Sequence, residues 1–131
     1  MTTLAYDAYQ SYQTVNVDAQ TAQASPVQLV LLLMDGLLDE LARARAHIEA
    51  RRFELKARSL ERAIGMLNGL SSALDMDAGG EVVANLERLY AFCAEHLHQA
   101  GVALDPGKID EVVAILQTLR EGWQSVQAKN G

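Results

Sequence analysis

A chain of 131 residues is the size of one domain with a real core. Half of it is hydrophobic but only 5% is aromatic. Leu and Ala carry the apolar content, which favours helices over sheets. The net charge of −6 argues against general nucleic-acid binding. The single cysteine, Cys93, excludes an internal disulfide and fits a reducing cytoplasm. No apolar run approaches the ~20 residues of a membrane span. No basic region followed by an apolar run marks a signal peptide, so a cytoplasmic location is expected.

Residues 1–24 are polar and small apart from Tyr6, Tyr9 and Tyr12, whose spacing places them on one drifting side of a short helix. Residues 13–23 read as a linker, because Thr14, Asn16, Asp18 and Thr21 favour local side-chain hydrogen bonds over helix. A mobile tyrosine segment over 1–24 is therefore expected ahead of a helical domain over 25–131.

Ser25 is an N-cap, Pro26 suits the first helical position, and Gln28 completes a capping box. The helix they open runs to about Ala50. Its core stripe is Val30, Met34, Leu37, Leu41, Ala44 and Ile48. Leu29, Leu32 and Gly36 fall on a different side, bordered by Asp35 and Asp39. Small soluble proteins rarely leave a second apolar face bare, so this face predicts a covering segment or a partner. The next helix spans about Glu54 to Leu74, with Phe53, Leu60, Ala63, Ile64, Leu67, Ser71 and Leu74 on the core stripe and Met66 and Leu70 toward the flank. The small-residue spacing of Gly65 and Gly69 permits close packing or is incidental. After a turn over 75–80, a helix from Glu81 to Ala100 buries Val83, Leu86, Leu89, Tyr90, Cys93 and Leu97, points Phe92 away, and ends at Gly101. Asp105-Pro106 opens the last helix, which carries Ile109, Val112, Val113, Leu116, Leu119, Trp123 and Val126 on one side. Short turns force neighbours antiparallel, so the fold class is all-α: an up-down four-helix bundle with a short additional N-terminal helix or cap segment.

Chemistry is sparse. A di-iron bundle needs two Glu-x-x-His motifs; Glu95 and His98 supply one, and His47 and His96 follow Ala44 and Cys93 instead. His96 and His98 face different sides of a helix, and His98 lacks the neighbouring Lys of a phosphotransfer site. Cys93 on the core stripe reads as an inert buried thiol. Gly79-Gly80 has no following Lys-Ser or Lys-Thr. No catalytic residue, metal or cofactor is expected. Seven Lys/Arg face three Glu between Arg43 and Arg62, which reads first as a solvated face.

Several segments, in order, resemble the FliS family, cytoplasmic export chaperones of flagellin. The N-terminal tyrosines match. Ala24-Ser25-Pro26 with Leu29, Leu33, Asp35 and Gly36 is similar to the family's second-helix signature. Asn85-Leu86, Leu89-Tyr90, Leu97 and Ala100 resemble its fourth-helix pattern, and Leu119-Arg120-Glu121-Gly122-Trp123 its C-terminal one. Met34 departs from it, standing where the family usually has tyrosine. The resemblance implies an antiparallel bundle that binds the disordered C-terminal region of flagellin, blocks premature polymerisation and delivers the subunit to the flagellar type III export gate. It also implies that the N-terminal segment covers part of the binding surface in the free state.

The two lines together predict a helix-in-groove site for flagellin at Leu29, Leu32, Leu33, Asp35, Gly36, Met66, Leu70 and Phe92, with Tyr6, Tyr9 and Tyr12 as an autoinhibitory cap. The expected partners are flagellin and, beyond it, export-gate components or flagellar regulators. Nucleic acid and membrane are excluded, and the chain is read as a monomer or weak homodimer. The alternative is an obligate helical homo-oligomer with a structural or adaptor role.

Overall fold

The computed structural model describes residues 25–74 and 76–130. They form four helices: α1 (Pro26–Glu49), α2 (Phe53–Ser72), α3 (Met76–Ala103) and α4 (Pro106–Asn130). The tyrosines at 6, 9 and 12, and the linker expected over 13–23, lie outside the described residues.

Two helix starts follow from their caps. Ser25 Oγ accepts the Gln28 N–H at 3.1 Å while Gln28 Oε1 accepts the Ser25 N–H at 2.9 Å, closing the capping box. Asp105 Oδ1 accepts the Gly107 N–H at 2.9 Å, and Pro106 sits at the first position of α4. Other boundaries differ from expectation. Gly101 does not end α3: the helix runs on to Ala103, and the left-handed residue is Leu104, with φ 54°. Gly101 serves close approach instead, since a Cβ there would lie 2.8 Å from Leu60 Cδ1 on α2. At its other end α3 begins with a helical turn from Met76, then passes through Gly80 at φ 55°, ψ −130°. Glycine alone adopts that conformation without strain, so the regular helix starts after it.

Buried residues recur in steps of three and four on every helix. They are Val30, Met34, Leu37, Leu41, Ala44 and Ile48 on α1, and Leu60, Ala63, Leu67 and Leu70 on α2, continued by Leu74. On α3 they are Val83, Leu86, Tyr90, Cys93, Leu97 and Ala100, and on α4 Ile109, Val112, Leu116, Trp123 and Val126. This 3.5-residue period keeps one seam on the bundle axis as the helices coil around each other. It corrects two expectations on α2. Leu70, placed on the flank by a straight-helix projection, is buried in the core, and Ser71 is only partly buried. Phe53, placed in the core, is exposed at the open end of the stripe.

Each helix packs against two neighbours: α1 and α3 both lie between α2 and α4. Cross-helix pairs fix the directions. Asp35–Arg120 and Arg45–Asp110 step oppositely along α1 and α4, as His96–Glu111 and Gln99–Lys108 do along α3 and α4. Lys56 near the start of α2 reaches Gly101 near the end of α3. The result is the expected antiparallel up-down bundle. No helix among the described residues is long and apolar enough to cross a membrane.

Candidate functional site

The surplus apolar face of α1 is bare. Leu32 is 62% exposed and Leu33 44%, while Leu29 and Gly36 are half-buried. Leu32 points straight outward, with a different neighbour on each flank.

Toward α4 the surface is closed. Arg120 donates to both oxygens of Asp35, Nε to Oδ1 at 2.6 Å and Nη2 to Oδ2 at 3.2 Å. Nearer the other end, Arg45 holds Asp110 the same way at 2.8 and 2.9 Å. Asp110 is drawn below the usual carboxylate range and both arginines are raised, each chiefly by the hydrogen bonds across this seam. Asp35 therefore faces α4 and is engaged within the chain. Its carboxylate straps α1 to α4 while its side chain stays half exposed.

Toward α2 the surface is open. Glu40 marks this flank, because Arg62 of α2 reaches its Oε1 at 3.5 Å. Gly36 and Leu33 precede Glu40 by one and two turns and share its side of α1. Met66 and Gly69 follow Arg62 by one and two turns and share its side of α2. Met66 is partly buried against the core. A Cβ built on Gly36, Gly65 or Gly69 would meet no atom within 4 Å. The two α2 glycines thus leave an open trough, and the close packing they permit is absent. By helix register Leu29, Leu33 and Gly36 of α1 and Met66 of α2 lie on this shared side, with Leu32 beside it.

Phe92 lies elsewhere. It is 51% exposed and stacks on His96, with ring centroids 5.1 Å apart; His96 in turn pairs with Glu111 of α4. This puts Phe92 on the α3/α4 side, across the bundle from the trough. One straight groove cannot touch both.

At the lower end of the trough Glu40 is a buried carboxylate. It accepts from Arg43 at 3.1 and 3.4 Å, and these bonds hold it below the usual carboxylate range against the opposing effect of burial. The wholly buried Ser59 hydroxyl also favours the charged form, though it lacks a hydrogen bond of good geometry among the described residues. Sequence spacing gave no sign of this cluster, because Glu40 reads as an ordinary exposed position of an amphipathic helix. Arg120 was equally hidden, 85 residues from Asp35.

Reactive chemistry is confined. Cys93 is fully buried, and burial pushes its thiol up to about 11, the inert state the stripe position implied. Among the described residues no three His, Cys, Asp or Glu side chains gather as a metal set.

The profile of the family described as Flagellar protein FliS matches residues 8–130. The chain belongs to the FliS family. It is 38% identical over 122 residues to the flagellar secretion chaperone FliSB of Pseudomonas aeruginosa, covering 93% of this chain and 97% of that one. It is 36% identical over 120 residues to the flagellar secretion chaperone FliS of Salmonella typhimurium, covering 91% and 89%. To the flagellar secretion chaperone FliS of Bacillus subtilis it is 28% identical over 122 residues, covering 92% and 87%. FliS is a chaperone family, not an enzyme family. Two segments that carry the FliS resemblance, Asp35-Gly36 and Leu119–Trp123, are physically joined through the Asp35–Arg120 pair. Met34 is completely buried, and its thioether fills core volume.

Proposed function

We propose that this chain is a cytoplasmic export chaperone that holds the C-terminal region of flagellin along the α1/α2 trough. The observation that carries this reading is the exposed apolar strip: Leu32 and Leu33 stand exposed beside glycines that open onto free space, in a chain of the FliS family. Flagellin's terminal segments become helical and apolar-faced in the filament, and such a helix would lay its face between Leu29, Leu33 and Met66. Gly36 and Gly69 let its backbone approach closely. A disordered client loses entropy on ordering, which requires an extended contact. Phe92, on the far side, supplies a second anchor for a client that wraps the bundle. Holding the client this way keeps it from polymerising and presents it to the export apparatus as a monomeric or weakly dimeric chaperone. In the free protein Tyr6, Tyr9 and Tyr12 cover part of the trough and compete with the client.

Leu32→Asp tests the site. It removes an apolar contact worth about 2 kcal/mol and adds a charge, so calorimetry should show flagellin C-terminal fragment binding roughly thirtyfold weaker or worse. Because Leu32 is exposed, the thermal midpoint should move little. A strongly lowered midpoint with unchanged affinity would place Leu32 in internal packing. Sedimentation that shows no dissociation on dilution would favour the homo-oligomer instead.

A further inference from the structure

A second apolar depression lies between α2 and α3, near the turns that join α1 to α2 and α3 to α4. It is a cleft of about 660 Å³, with Leu60, Ile64 and Leu97 in its lining and Phe53, Val102 and Leu104 at its mouth. Val102 is 76% exposed, and Phe53 and Leu104 are each 41% exposed. Among the described residues the non-glycine left-handed backbones, Arg51 at φ 59° and Leu104 at φ 54°, both sit at this end. A bulky side chain in that conformation is strained, and the strain here holds Leu104 at the lip of the cleft.

The charges point to what enters it. Most of the basic residues between Arg43 and Arg62 are neutralised: Arg43 and Arg62 by Glu40, Arg45 by Glu49 and Asp110, Arg58 by Glu54. The three without a carboxylate partner among the described residues are Arg51, Arg52 and Lys56. Lys56 lines the cleft and Arg51 touches Phe53 at its mouth, while Arg52 turns toward His47 of α1. Arg51 lies over the Phe53 ring, 5.7 Å from its centroid. Arg52 donates to His47 Nδ1 at 3.0 Å. Lys56 lines the cleft and donates to the Gly101 carbonyl at 3.0 Å. Glu61 is the only acidic residue in the lining. On a chain of net charge −6, an apolar cleft with two cations beside it that no carboxylate of the described residues neutralises selects its occupant by charge.

We infer that this cleft docks a short acidic segment of another protein. A bulky apolar side chain would enter among Leu60, Ile64 and Leu97, and its flanking carboxylates would meet Arg51 and Lys56. The site is separate from the α1/α2 trough and differs from it in its positive rim, and the occupant is an acidic partner other than the client.

The probe is a fluorescein-labelled peptide with a Leu-Phe pair flanked by glutamates, titrated against the full chain with and without bound flagellin C-terminal fragment. A control peptide carries lysines in place of the glutamates. The glutamate peptide should bind saturably, at least about tenfold tighter than the control, with affinity falling as salt rises. It should perturb backbone amides at Phe53, Gly101 and Leu104. Arg51→Glu with Lys56→Glu should weaken it roughly tenfold. Val102→Glu, at the most exposed position, should weaken it with an unchanged thermal midpoint. Equal binding of both peptides, no saturation below about 1 mM, or perturbations confined to Leu32 and Leu33 would overturn the inference. So would displacement by the flagellin fragment, which would make the cleft part of the client's path. Dimerisation abolished by Val102→Glu would make a second copy the occupant.

Discussion

Glu40 is the one charged side chain that the described residues bury, at 3% exposure. Arg43 is the main reason it stays ionised there, with Ser59 and Arg62 assisting against desolvation. Its folded-state pKa lies below the ordinary 4.5, so the stability it contributes is fully present above that value and is lost as pH falls through the lowered one. Glu40→Gln should therefore flatten the dependence of stability on pH below about 4.5. At neutral pH it should cost about 1–2 kcal/mol, since both arginines can turn to water once the carboxylate is gone. Denaturant unfolding at a series of pH values measures this. An acid limb unchanged by the substitution would show that the buried carboxylate is not coupled to folding.

The helices show what their residue patterns could and could not convey. The stripes of α1, α3 and most of α4 are legible directly, because apolar residues recur at three and four and Ser25 and Asp105 cap as their chemistry requires. On α2 the choice between Leu70 and Ser71 depends on whether the helix is straight or supercoiled, and that is a property of the assembled bundle. The same holds for Gly101. A glycine late in a helix pattern signals termination, yet here α2 packs so near that glycine is needed for space. Contact across elements decided each of these, as it did for Asp35 and Arg120. Of the candidate site, the exposure of Leu32, Leu33 and Phe92 was legible; the separation of Phe92 from the rest, and the burial of Leu70, required the ring of helices. Two glycines give a contrasting test. Gly101→Val should destabilise the fold by about 1–3 kcal/mol through overpacking against Leu60. Gly69→Ala, opening onto free space, should stabilise it by about 0.5–1 kcal/mol through helix propensity. Thermal melts of the two variants check this, and equal midpoints would refute the assigned close approach of α2 and α3.

At the scale of the molecule, exposed apolar groups are distributed over opposite sides: Leu32 and Leu33 by α2, Phe92 by α4. A rigid partner could cover one side only, whereas a disordered chain can reach both, at the entropic cost that coupled folding entails. Under the proposed function the chain's own first residues also compete for the trough when no client is present. Deleting residues 1–15 should leave the bundle's melting unchanged and tighten flagellin binding severalfold by removing the competitor. Loss of folding on deletion would instead make Tyr6, Tyr9 and Tyr12 core residues. The most direct measurement is an amide chemical-shift map of the isotopically labelled chain with and without the flagellin C-terminal fragment. Strong perturbations at Leu29, Leu32, Leu33, Gly36 and Gly69 are expected; saturating binding that leaves all five amides unmoved would contradict a client held in the α1/α2 trough.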